Sequence, residues 1–84
     1  MLFYMEHIKL RRARIATELR AELARQNKTK ASLSRATDIA VPVLRRRLAG
    51  VMPFYVDELD ACCAFLGITI SELLQRADTA EVAA

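Results

Sequence analysis

Apolar positions recur three and four residues apart along most of this chain. Between about Glu6 and Arg25, Ile8, Ile15, Leu19 and Leu23 fall on one face with Ala16, and Arg11, Arg12, Arg14, Arg20 and Arg25 occupy much of the rest, the pattern of an amphipathic helix. Asn27 marks its stop. Thr29 reads as the N-cap of a short helix from Lys30 to about Thr37, with Leu33 and Ala36 turned inward. Thr37-Asp38 makes a tight turn, because Asp tolerates the left-handed backbone a sharp helix–helix corner needs, and Ile39 plugs that corner. Pro42 is acceptable only in the first turn of a helix, which sets the next start near Ala40 or Val41. Leu44 and Leu48, four apart, pack inward and leave Arg45 and Arg46 outside, and Gly50 ends the helix. Val51 to Tyr55 is a loop. The next helix covers Val56 to Leu66, with Asp57 and Glu58 at its positive end, an apolar face of Leu59, Cys62, Cys63 and Leu66, and Gly67 as terminator. Thr69-Ile70-Ser71-Glu72 has capping-box spacing and opens a last helix from Ile70 to about Arg76, anchored by Leu73 and Leu74. Residues 78–84 are expected as a frayed tail. With no strand alternation and no internal repeat, the expectation is an all-α domain over residues 1–77 that includes an N-terminal apolar extension at 1–7.

A chain of 84 residues is one domain and buries only about 60–65% of its unfolded surface. With 54% hydrophobic residues, several apolar side chains must remain at the surface, which favours an oligomer. The charge is more telling in its distribution than in its total of +3. Residues 1–50 hold 12 of the 13 Lys and Arg and 4 of the 10 Asp and Glu, a net +8; residues 51–84 carry one basic against six acidic residues, a net −5. One end is suited to phosphates and the other to something else. Cys62 and Cys63 are adjacent, there is no CxxC and a single His, so two buried thiols are expected and no metal or other cofactor. The opening MLFYMEHIKLRR is too short to span a membrane, and its charges follow its apolar part where a signal peptide's precede it; a cytoplasmic protein is expected.

The stretch TKASLSRATDIAVPVLRRRLAG, Thr29 to Gly50, thus reads as two helices and a tight turn, the second helix carrying Arg45, Arg46 and Arg47 in a row. A small basic protein so built places its second helix in the major groove of DNA. On Thr29, Leu33, Ile39, Leu44, Leu48 and Gly50, followed by DELDACCAFLGITISELL, the chain resembles the helix-turn-helix family of phage repressors and Cro proteins and their bacterial relatives, over about Ile15 to Leu74. The resemblance implies a compact five-helix bundle of the lambda-repressor-like type, with helices 2 and 3 forming the DNA-binding unit. It implies an operator-binding transcriptional regulator, a repressor of phage or prophage Cro or immunity type acting by promoter occlusion. It further implies phosphate contact at Thr29 and Lys30, base-edge contact at Ala40, Val41 and Val43, base reading at Arg46, and a base or phosphate contact at Arg45, with Arg47 nearest the packed side. A homodimer through an N-terminal or C-terminal apolar surface would span half-sites about 34 Å apart.

The chain departs from the family pattern in three ways. Asp38 stands where the turn often has Gly, Ala40 replaces a Ser or Thr cap worth about 1 kcal/mol, and the reading helix opens Ala-Val-Pro-Val. Few groups remain there to hydrogen-bond bases, although valine methyls can meet thymine methyls and arginine can hold guanine bidentately. A short base-reading footprint with a large phosphate share is expected. Arg11, Arg12, Arg14 and Arg20 are read either as phosphate flanks or as a solvated helix face. Leu2, Phe3, Tyr4 and Met5 are read as a disordered start, as residues upstream of a start at Met5, or as an arm pairing two subunits, with Phe54 and Tyr55 in the core or in that interface. No catalytic grouping, Gly-rich phosphate loop or paired metal ligands occur, so no enzyme, membrane association or small-molecule effector is expected, and control falls to concentration. The alternative is an antitoxin or anti-regulator that uses the same fold to hold a protein partner.

Overall fold

The computed structural model describes residues 2–83, with side chains described over residues 4–79. Five helices follow in order: α1 (Leu2–Arg25), α2 (Lys30–Thr37), α3 (Val41–Leu48), α4 (Val56–Leu66) and α5 (Ile70–Ala83). The bounds of α2, α3 and α4 coincide with those read from the sequence. The two outer ends differ. α1 starts at Leu2 instead of near Glu6, and α5 runs to Ala83 through the segment expected as a frayed tail. The apolar extension is therefore the first turns of α1; the side chains of Leu2 and Phe3, on which the arm reading drew, lie outside the described residues, as do Met1 and Ala84.

Local chemistry explains each break. α1 closes where Asn27 takes a left-handed φ of 57°. Thr29 caps α2 reciprocally: its Oγ1 accepts from Ser32 N–H at 3.0 Å, and Ser32 Oγ accepts from Thr29 N–H at 3.1 Å. Asp38 ends α2 at φ 61° with its N–H on Ser34 O, and Ser34 Oγ donates to Ile39 O at 2.6 Å, tying the corner. Ala40, the N-cap of α3, offers no side-chain cap, and Pro42 sits in the helix's first turn. Gly50 has φ +79°, and a Cβ there would come within 3.4 Å of the Ala13 Cα, so its absence lets α1 pass close to the end of α3.

α1 packs on α5 and α3, while α2 packs on α3 and α4. Leu19 and Leu23 of α1, Leu33, Leu44, Leu48, Cys62, Cys63, Leu66 and Leu73 form one core. One inward expectation fails: Ala36 is exposed. Ile8, on the same stripe as Leu19, remains 38% exposed because the bundle does not reach that far along α1.

Sequence reading gave no role to Glu22, yet it is the buried charged residue of the described core, 7% exposed. Its carboxylate accepts from Gln26 Nε2 at 2.9 Å and Arg25 at 3.1 Å, and pairs with Arg76 of α5. Those hydrogen bonds, with Gln26 and Arg76 foremost, hold its pKa down from 4.5 to about 2 against the opposing effect of burial. A carboxylate with a lowered folded pKa stabilises the fold fully above its unfolded value, and the contribution fades as pH falls from about 4.5 toward 2. Glu22→Gln is expected to cost about 1–2 kcal/mol at neutral pH, the figure being moderated because Arg25 and Arg76 remain in contact with water. Urea unfolding at pH 7 and pH 3 checks it: the gap between wild type and variant must narrow at the lower pH.

Candidate nucleic-acid interface

The turn between α2 and α3 fixes which side of α3 meets solvent. Leu44 and Leu48 are wholly buried. At about 100° per residue, Arg46 stands opposite the midpoint between those two leucines. Pro42 and Arg45 lie on one flank of Arg46 and Val43 on the other. Arg45 and Arg46 are exposed, and neither guanidinium makes a hydrogen bond or ion pair with another described residue. Ala40 is exposed, and Val41 and Val43 are half-buried, so their outer methyls contribute an apolar edge. Lys30, at the start of α2, is exposed and likewise unpaired among the described residues. Thr29 is exposed too, but its hydroxyl is engaged in capping α2.

Arg47 differs from its two neighbours. One further residue rotates it toward the loop, where its Nε lies 2.9 Å from Glu58 Oε1 and its Nη1 donates to Pro53 O at 2.9 Å. Its guanidinium also lies 5.1 Å from the Tyr55 ring centre. Its side chain is 12% exposed and Glu58's is 18%, so the pair is well shielded from solvent. Glu58 at the same time accepts from Tyr55 N–H at 2.9 Å, capping α4. Arg47 therefore joins the end of α3 to the start of α4, a coupling its place in an arginine run does not reveal.

The α1 arginines are also largely spoken for. Arg20 donates to the Leu48 carbonyl and to Thr17 Oγ1, satisfying an open carbonyl at the end of α3. Arg11 pairs with Asp78 at 3.1 Å. Arg12 and Arg14 are half-buried. Arg11 and Arg20 are exposed, as on a solvated helix face, and are also tied within the chain. Arg35, not singled out by the sequence, is exposed on α2 and unpaired among the described residues. With Leu33 marking the buried side of α2, a helical wheel would have found it.

The thiols offer no chemistry. Cys62 and Cys63 are free and buried, and burial pushes both pKa values up, that of Cys62 to about 12. Such thiols stay protonated and behave as small apolar groups. No helix among the described residues is long and apolar enough to cross a membrane.

What remains is a short helix held at both ends, whose outer face presents two uncommitted guanidinium groups between apolar edges. Planar five-donor groups on a helix about 10–12 Å wide match the width and acceptor pattern of the DNA major groove. Residues 18–78 match the family model of the Cro/C1-type HTH DNA-binding domain. No curated protein and no solved structure matches the chain.

Proposed function

The chain belongs to the Cro/C1-type helix-turn-helix DNA-binding domain family, and on that premise we propose that it is a sequence-specific transcriptional repressor acting by promoter occlusion. The observation that carries the reading is the pair Arg45 and Arg46, exposed and unpaired among the described residues on the outer side of a helix whose Leu44 and Leu48 are buried. α3 lies in the major groove. Arg46, at the centre of the outer face, holds a guanine edge, and Arg45 takes a neighbouring base or phosphate. Ala40, Val41 and Val43 meet thymine methyls. Lys30 and the backbone around Thr29 hold phosphate. Arg47 acts through the loop it anchors. The phage or prophage setting of Cro and immunity repressors is the one this reading takes.

The test is fluorescence anisotropy on the DNA upstream of the chain's own gene, against a scrambled duplex, at two salt concentrations. The expected result is a preference of about 10³-fold or more. Equal binding to both duplexes that vanishes with salt would leave only the electrostatic attraction of a basic surface and sink the repressor reading. Lys30→Ala is expected to weaken all sequences alike and lower the slope of log K against log salt by about 1, which a salt titration on both duplexes reads directly.

A further inference from the structure

α3 is 8 residues long, too short to hold its own shape in water, so the aim of its side chains depends on what holds its ends. Its last turn runs on into the segment that follows. The N–H groups of Ala49, Gly50 and Val51 donate to the carbonyls of Arg45, Arg47 and Arg46, at 3.0, 3.1 and 3.1 Å. Arg45 and Arg46 therefore stand on backbone whose hydrogen bonds reach into the loop between α3 and α4. That loop is fixed in turn by one pair of side chains. Arg47 crosses it to the Pro53 carbonyl and to Glu58, and Glu58 reaches back from α4 to accept from the Tyr55 N–H. Both side chains are largely shielded from water, so salt screens the pair little, and removing either partner leaves the other charge uncompensated.

Charge and geometry give Glu58 opposite effects on DNA binding. A carboxylate on a DNA-binding domain repels phosphate, so on charge alone its removal strengthens binding to any duplex. In its place here, the same carboxylate withdraws Arg47 from the outer face and holds the last turn of α3 at one angle. We propose that Glu58, acting through Arg47, is a positioning residue for sequence discrimination: the pair sets where Arg45 and Arg46 meet the base edges and does not itself touch DNA. This rests on the reading of α3 as the recognition helix. It gives an acidic residue of α4 a part in base reading, beyond the favourable place that any carboxylate has at a helix N-terminus. Hydrogen bonds to base edges are short and directional, so a small displacement of α3 costs them first; attraction to phosphate falls off gradually with distance and survives.

The test compares Glu58→Gln, Arg47→Met and the double substitution with wild type. Competition anisotropy is run on the duplex from upstream of the chain's own gene and on its scrambled counterpart, at a temperature where circular dichroism shows every chain folded. Each variant is expected to lose about tenfold in preference between the two duplexes, and the double no more than either single, because the two side chains act as one unit. Glu58→Gln is expected to bind the scrambled duplex at least as tightly as wild type does. A merely structural role leaves the preference intact once the chain is folded, so preference retained in folded Glu58→Gln overturns the proposal. Single losses that add up in the double overturn it as well. So does an Arg47→Met chain that weakens on both duplexes alike with a salt slope lower by about 1, which makes Arg47 a phosphate contact. Amide hydrogen exchange without DNA reads the same coupling directly. Glu58→Gln is expected to speed exchange at Ala49, Gly50 and Val51 about tenfold beyond any change at Leu19 in the core, and equal exchange at all four overturns the proposal. A wild-type chain with no preference between the duplexes defeats the recognition-helix reading instead, so the two failures are distinguishable.

Discussion

Replacing Leu33 by alanine will lower the unfolding free energy by about 2–5 kcal/mol, the usual cost of emptying a wholly buried leucine site. Leu33 is the buried residue of α2, and α2 is the helix that packs against both α3 and α4. A chain of 84 residues has a total stability of about 4–12 kcal/mol, so the loss is a large share of it. Urea unfolding followed by circular dichroism measures the change. The effect on DNA binding separates two kinds of defect. At low temperature, where the variant still folds, its affinity for DNA is expected to return near the wild-type value, because no DNA-facing side chain has changed. An affinity defect that persists in the fully folded variant would place Leu33 in the orientation of α3 and refute a purely stabilising role.

Arg46→Ala will weaken binding to the preferred duplex by about 1–3 kcal/mol, about 5- to 150-fold, and relax preference at one base pair. Stability changes little, since Arg46 is exposed and unpaired among the described residues. Arg46→Lys sharpens the reading. Lysine keeps the positive charge but loses the planar fork, so the salt slope should survive while the base preference is lost. If lysine restores preference and affinity together, Arg46 touches a phosphate. If Arg46→Ala leaves binding unchanged, α3 is not the reading helix. Competition anisotropy with single base-pair variants of the preferred duplex gives all three answers.

The three middle helices were legible in the sequence because their ends are written in single residues. Thr29 caps α2, Asp38 and Pro42 bracket the turn, and Gly50 and Gly67 close α3 and α4, each through a conformation or bond that needs only its near neighbours. The outward face of Arg45 and Arg46 followed from the four-residue spacing of Leu44 and Leu48. The outer ends of α1 and α5 carry no such marker, so their lengths were underestimated. Ile8 shares the apolar face of Leu19 because periodicity names a face of a helix; how far the neighbouring helices extend along that face is a separate matter.

The same division runs through the charged groups. The sequence by itself determined an all-α chain, the boundaries of α2, α3 and α4, the helix pair around Asp38 and the side of α3 that meets solvent, all of which depend on periodicity and on bonds spanning four residues or fewer. Only the tertiary structure decided which of three consecutive arginines is withdrawn, since Arg47 is held by Glu58, 11 positions on. It alone made Glu22 a buried anchor, through Arg76 at a separation of 54 residues, and turned Arg20 toward the Leu48 carbonyl, 28 residues away. A side chain's periodicity fixes the direction in which it leaves its helix, while its partner is fixed by where the rest of the chain has folded, and no local pattern carries that information.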